Sequence, residues 1–271
     1  MKLRKALDKI DPATRLTVIS DGRPQVIPQP SIVRPPQKRT RSRSKQVPFD
    51  AQCAKTNRCI CLEPESPEGE SFKILRAKIQ QLALKNNQRT VLITSPQPGD
   101  GKTLISTNLA LSFAKGHDQT VLLVDCDLKH QNLHQRLGIE NSLGIINHLV
   151  DDTPLEEIII RPGIEKLSII SGGEPVSNTA EELGSARMKA LIGELKARYA
   201  DRIVLFDAPP VLSGADTLSL AQFVDAIVLV VSDGKTSLKD LRKTMEVLPR
   251  EKLLGFVLNR QQTDNLQNYY Q

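Results

Sequence analysis

From Glu68 onward the chain alternates between two apolar rhythms. Short runs that are apolar at nearly every position, TVLIT (90–94), TVLLVD (120–125), LSII (167–170), RIVLFD (202–207), DAIVLVV (225–231) and LLGFVLN (253–259), read as strands. Between them apolar residues recur at helical spacing. Phe72, Leu75, Ile79 and Leu82 make one stripe with Glu70, Lys73 and Arg76 to its side, and helices are also expected over Thr103–Lys115, Glu181–Tyr199 and Ser237–Leu248. Strands apolar on both faces belong in a parallel sheet covered by helices. The expected fold is therefore a doubly wound, mainly parallel α/β sheet with helices on both faces, spanning residues 68–262.

Residues 1–67 follow neither rhythm. RPQVIPQPSIVRPPQKRTRSRSK is rich in proline and basic residues and poor in core formers, so Asp11 to about Pro67 is expected to be a largely disordered linker. The first ten residues differ. Leu3, Ala6, Leu7 and Ile10 lie at helical spacing among Lys2, Arg4, Lys5 and Lys9, as in a short basic amphipathic helix that docks on a partner or an anionic membrane, or else as a frayed terminus. Charge follows the same division: residues 1–48 hold 12 Lys and Arg against 3 Asp, whereas the whole chain carries a net +6. KRTRSRSK could touch phosphates but has no aromatic residues for stacking, so no specific nucleic-acid partner is expected.

No apolar run approaches the ~20 residues of a membrane-spanning helix, and the charged start lacks the apolar core of a secretory signal. The expected location is the cytoplasm. There, Cys53, Cys59 and Cys61 in CAKTNRCIC read as reduced thiols; a metal reading is weakened by the lack of paired C-x-x-C blocks.

The chemistry sits at the carboxyl ends of the strands, where such sheets bind ligands. SPQPGDGKT follows TVLIT and opens a helix. Pro98, Gly99, Asp100 and Gly101 frame a loop whose amides can turn onto phosphate oxygens, Lys102 can reach the outer phosphates, and the Thr103 hydroxyl can hold Mg²⁺. The departure from G-x-x-x-x-G-K-T is Pro96 in place of the first glycine. VLLVDCDLK places Asp125 and Asp127 on one side of a strand end, where two carboxylates would repel phosphate unless a divalent cation stood between. IVLFDAPP adds Asp207, placed to accept a hydrogen bond from Mg²⁺-bound water. His130 and His134 could lie one helical turn apart, and a structural or solvent role fits them better than a metal pair.

These three segments in this order resemble the bacterial tyrosine kinases of capsular and exopolysaccharide synthesis, whose phosphate loop has the form S-x-x-P-G-E-G-K-[ST]. Pro96 fits that pattern, and Asp100 replaces its glutamate. VSNTAEELGSARM and LLGFVLN extend the resemblance over about Glu68 to Gln271, and the opening LRKALDKI is similar to the start of exosortase-linked members. The resemblance implies ATP and Mg²⁺ as cofactors. Lys102 would stabilise the transferring phosphoryl group, Thr103 and Asp127 would bind the ion with Asp207 completing its site, and Asp125 would position it or accept the tyrosine proton. Asn259 looks like an adenine-contacting asparagine, or else a strand-end turn residue. Glu70, Lys73 and Arg76 match an E-x-x-R-x-x-R ring-forming helix with lysine in the middle. Lys129 and Ala208 also depart from the family's arginine and threonine.

In the tail, 263–271, Tyr269 and Tyr270 would be phosphorylated by a neighbouring subunit. The implied partners are further copies in a ring, a separate membrane-embedded chain-length regulator that activates the chain at the inner face of the membrane, and a tyrosine phosphatase. Membrane contact would run through that regulator or the N-terminal helix. Two rivals stand beside this reading. One is a partition or Min-type ATPase switch, whose signature lysine position is occupied by Gln97; the other is a nucleotide-binding scaffold without kinase activity.

Overall fold

The computed structural model describes residues 45–63, 66–83, 86–117, 119–140, 143–198 and 201–261. The expected N-terminal helix of Leu3, Ala6, Leu7 and Ile10, most of the leader, and Tyr269 and Tyr270 lie outside them.

Eight strands form one sheet: β1 (Lys45–Gln46), β2 (Thr90–Thr94), β3 (Thr120–Asp125), β4 (Ile159–Arg161), β5 (Leu167–Ile170), β6 (Arg202–Asp207), β7 (Ala226–Ser232) and β8 (Leu253–Asn259). Their order is β1-β4-β5-β3-β6-β2-β7-β8, and every pairing is parallel except β4 with β5. The central strands bury both faces, as their unbroken apolar runs require. Val91 and Ile93 of β2, Val121 and Leu123 of β3, and Ile203 and Leu205 of β6 enter one core. Leu92, Leu122, Val124, Val204 and Phe206 enter the other. This period of two is the pleat of the strand.

The helices covering the first core are α1 (Ala51–Thr56), α2 (Pro67–Ala83), α3 (Lys102–Ala114) and α4 (Leu133–Leu137). The second is covered chiefly by α5 (Ile145–Asp151), α6 (Leu155–Ile158), α7 (Thr179–Leu183), α8 (Ala186–Arg198), α9 (Asp216–Ala221) and α10 (Leu238–Val247). In α2, Phe72, Leu75 and Ile79 are buried as expected, with Leu82 partly so, and Glu68 and Glu70 in the first turn complement the helix dipole. Helix α3 lies between α2 and the sheet and is buried nearly all round, which is why its sequence shows almost no polar face.

Two expectations need correction. Glu181–Tyr199 is not one helix: α7 ends at Leu183 and α8 begins at Ala186, with Gly184 and Ser185 between them. A Cβ at Gly184 would stand 3.2 Å from Cβ of Ser219 in α9, and the Ser185 hydroxyl accepts from Met188 N at 3.1 Å. Close packing and an N-cap thus break the helix where glycine already weakens it.

The second correction concerns the leader. Residues 45–62, expected to be linker, are folded onto the domain. β1 adds to the sheet edge, Asp50 caps α1 by accepting from Gln52 N and Cys53 N, and Ala54, Cys59 and Cys61 are buried in the core. Asn108 of α3 pins this arm from inside, donating to Arg58 O at 2.9 Å and accepting from Cys61 N at 3.0 Å. Burial pushes the Cys59 thiol up to about 11 and Cys61 to about 12. The composition that suggested disorder omits the small apolar residues that fill this seam.

Asn108→Ala leaves the Cys61 amide and the Arg58 carbonyl short of a partner. We expect a loss of about 1–3 kcal/mol in denaturant unfolding and faster modification of Cys61 by a thiol reagent. Unchanged Cys61 reactivity would show that the arm is held by other contacts.

Candidate functional site

The phosphate loop leaves β2 at Thr94 and enters α3 at Lys102. Gly101, with φ at 101°, is the N-cap of α3, and no side chain caps the helix. The first amides of α3 are therefore without a side-chain cap, the condition under which a helix N-terminus receives phosphate. Glycine is required at 101 for a second reason, because a Cβ would fall 2.0 Å from Nδ2 of Asn259.

Asp100 is fully buried, and it holds the loop rather than facing a ligand. Its carboxylate accepts from Gln97 N and from the Thr236 hydroxyl, both at 3.0 Å. Its carbonyl accepts from Asn259 Nδ2 at 2.8 Å, and Lys235 Nζ donates to the carbonyl of Pro98 at 2.7 Å. Asn259 is thus engaged with the loop, and its Oδ1 accepts from Arg260 N. Sequence reasoning overlooked Lys235 and Thr236, whose loop carries no nucleotide signature. On the other side, the hydroxyls of Thr94 and Thr217 both donate to the carbonyl of Pro209 at 2.6 Å, tying the loop's start to the segment after β6.

Adjacency in the sheet brings the acids together. Asp125 and Asp207 are direct partners in the parallel register of β3 and β6, and β6 neighbours β2. Lys102 Nζ lies 2.5 Å from Asp127 Oδ2 and 3.4 Å from the Thr103 hydroxyl, with Lys102 and Asp127 both buried. Asp125 accepts from Asp127 N at 3.1 Å and Leu133 N at 3.3 Å, whereas neither oxygen of Asp207 has a hydrogen-bond partner. The site therefore gathers Lys102, Thr103, Asp125, Asp127 and Asp207.

Its electrostatics follow from burial. Burial raises Asp125 well above the ordinary carboxylate range, and the Asp207 charge adds to this. Burial also raises Asp207, offset in part by the Lys102 charge and by the nearby hydroxyls of Thr103 and Ser106, neither of which reaches hydrogen-bonding geometry. Burial would lower Lys102, but attraction to Asp207 and Asp127 outweighs it and the ammonium is held above its ordinary value. Among the described residues no three His, Cys, Asp or Glu side chains form a preformed metal cage. The donors present, a hydroxyl and carboxylates with Asp207 orphaned, suit a hard divalent cation that shares its shell with phosphate oxygens and water.

The other expected positions fall apart from this cluster. Glu70 and Lys73 pair with each other at 2.8 Å on the exposed side of α2. Arg76 turns inward and donates to the carbonyl of Ser112 near the end of α3. Lys129 pairs with Asp216 at 2.9 Å, and Asp216 also accepts from the Thr179 hydroxyl, joining the segment after β3 to α7 and α9. His130 and His134 are not brought together on a metal: His130 is exposed beside Asp127 at 3.8 Å, and burial lowers His134.

Comparison with known proteins bears on the family and the fold. Residues 88–252 match the AAA domain family. The chain is 35% identical over 199 residues to the tyrosine-protein kinase YwqD of Bacillus subtilis, covering 73% of this chain and 83% of YwqD. It is 34% identical over 185 residues to EpsB of Ralstonia nicotianae, a match that covers 68% of this chain but only 24% of that relative. The crystal structure of the chimerical protein CapA2B2 superimposes with a TM-score of 0.69 at 28% identity, covering 80% of this chain and 93% of that one.

A carboxylate with a raised folded value holds its proton after the unfolded chain has released it. Stability without nucleotide or metal should therefore fall as pH rises from the ordinary carboxylate range through the raised values of Asp125 and Asp207. Asp207→Asn removes a buried charge that has no hydrogen bond and that Lys102 offsets only in part, and should flatten part of that slope. At about pH 8 it should raise the unfolding free energy by about 1 kcal/mol or more. A less stable Asp207→Asn protein in urea unfolding would contradict the unpaired-charge description.

Proposed function

The chain belongs to the family of bacterial tyrosine-protein kinases, and from that premise we propose that it phosphorylates Tyr269 and Tyr270 of neighbouring copies with ATP and Mg²⁺. The observation that carries this reading is the meeting of Lys102 with Asp125, Asp127 and Asp207 at an uncapped helix start. Phosphoryl transfer asks the protein mainly for positioning and charge stabilisation, and those are what these groups supply.

In this reading the loop amides from Gly99 to Thr103 bind the phosphate chain. Lys102 exchanges Asp127 for the transferring phosphoryl group, where its ammonium offsets developing charge. Thr103, Asp127 and Asp207 would hold Mg²⁺, which supplies neutralisation of phosphate charge in the transition state. Asp125, at the end of β3 beside Asp127, helps position the ion or receives the tyrosine proton. Asn259 and Lys235 keep the loop in shape while the phosphates load it.

The wider assignment rests on the family as well. Copies assemble as rings through the exposed Glu70 and Lys73, while Arg76 supports the helix pair beneath them. A membrane-embedded chain-length regulator activates the ring and a tyrosine phosphatase resets it, so that tail phosphorylation controls exopolysaccharide polymerisation and export. Among the described residues no helix is long and apolar enough to cross a membrane, consistent with recruitment through such a partner.

Mass spectrometry of the C-terminal peptide after incubation with ATP and Mg²⁺ tests the proposal. Phosphate should appear on Tyr269 and Tyr270 in the wild type and fall at least about 100-fold in Lys102→Met and Asp127→Asn. ATP hydrolysis by the wild type with both tyrosines unmodified, even in the presence of the regulator's intracellular segment, would favour a nucleotide-dependent switch instead.

A further inference from the structure

A cavity of about 290 Å³ opens against the phosphate loop, lined by Gly99, Gly101, Lys102 and Thr103 of the loop and by Asn57, Asn132 and Arg136 among others. It is at the small end of ligand pockets, suited to the phosphate end of a nucleotide rather than to a whole one. The family signatures do not account for this second wall: it comes from α4 and the folded arm.

Arg136 is the cation of that wall, and the arm fixes it. Its Nη1 donates to the carbonyl of Asn57 at 2.9 Å, while its Nε is buried and has no acceptor. The backbone on either side is clamped to the same arm. Asn57 Nδ2 and Cys53 Sγ donate to the carbonyl of Gln135 at 3.1 and 3.2 Å, and Cys59 Sγ donates to the carbonyl of Arg136 at 3.7 Å. A guanidinium held by one nitrogen, half-buried and lining a cavity beside a phosphate loop with its other donors unmatched, is set up to receive an oxyanion.

Charge points the same way. A triphosphate entering beside Asp125, Asp127 and Asp207 meets three acidic groups and the ammonium of Lys102. A second cation lining the same cavity would offset the charge of the outermost phosphate, where it is greatest.

We propose that Arg136 is a phosphate-binding residue that contacts the terminal phosphate of bound ATP from the cavity it lines together with Lys102, and so distinguishes ATP from ADP. This rests on the reading of the loop as an ATP site, and it does not require that a tyrosine be the acceptor. The arm of residues 45–62 acts through Arg136 as a positioning element.

Calorimetric binding of ADP and of a non-hydrolysable ATP analogue, each with Mg²⁺, to the full chain and to Arg136→Ala and Arg136→Lys tests this. In Arg136→Ala the Kd for the ATP analogue should rise about 10- to 100-fold, the range expected for a lost charged hydrogen bond. The Kd for ADP should move less than about threefold. Arg136→Lys, which keeps the charge but loses the fork, should fall between, and serves alone if the alanine variant does not fold. Equal weakening of both nucleotides would assign Arg136 a purely structural role and overturn the proposal, as would unchanged binding of both. Selective loss of ATP binding in a chain that modifies no tyrosine would uphold Arg136 and remove the kinase reading instead.

Discussion

The carboxyl edge of the sheet is organised around a charge conflict. Asp125 and Asp207 are adjacent in register, Asp127 follows two residues later, and all three are buried within the influence of one lysine. Removal from water disfavours each ionised acid, and mutual repulsion adds to that cost. Lys102 resolves part of it by pairing with Asp127, and two amides resolve part of it at Asp125. Asp207 is left without a donor. A fold seldom keeps such a group unless it serves chemistry, and a carboxylate so placed suits a divalent cation that would bridge it to phosphate.

Because that pocket is electrostatically unfavourable by itself, the loop above it has to be held from outside. Asp100, Thr236, Lys235 and Asn259 form that support, and all four contacts end on loop backbone or on the one buried loop carboxylate. The loop is thus tied to the segment after β7 and to the end of β8, while the Thr94 and Thr217 hydroxyls tie its start to the segment after β6. Shape is supplied by neighbouring strands, and the residues nearest the expected phosphates remain uncommitted to capping.

Much of this was legible in the order of residues. The six expected strands follow from runs such as TVLIT and RIVLFD, whose lack of alternation is satisfied between two helical layers. The acids were legible because strand ends in a parallel sheet open on one side. Other features were not. Asp100 resembles a loop residue facing a ligand, and its burial depends on Thr236, far away in the chain. Asn259 was read as a base contact or a turn residue; its hydrogen bond to the Asp100 carbonyl depends on β8 lying beside β7. The arm at 45–62 was hidden because its fit comes from Ala54, Cys59 and Cys61, small side chains whose value lies in shape rather than in periodicity. Arg136 was invisible for the same reason, since only the arm gives it an orientation.

The arm has a mechanical corollary. The polypeptide preceding Lys45 is joined to the domain through a short edge strand and a helix bonded directly to α4. It does not enter at a remote corner. Tension or docking applied to that basic stretch would load the pairing of β1 with β4 and then, through α1, the wall that carries Arg136, so the sheet edge and the nucleotide pocket share one short lever.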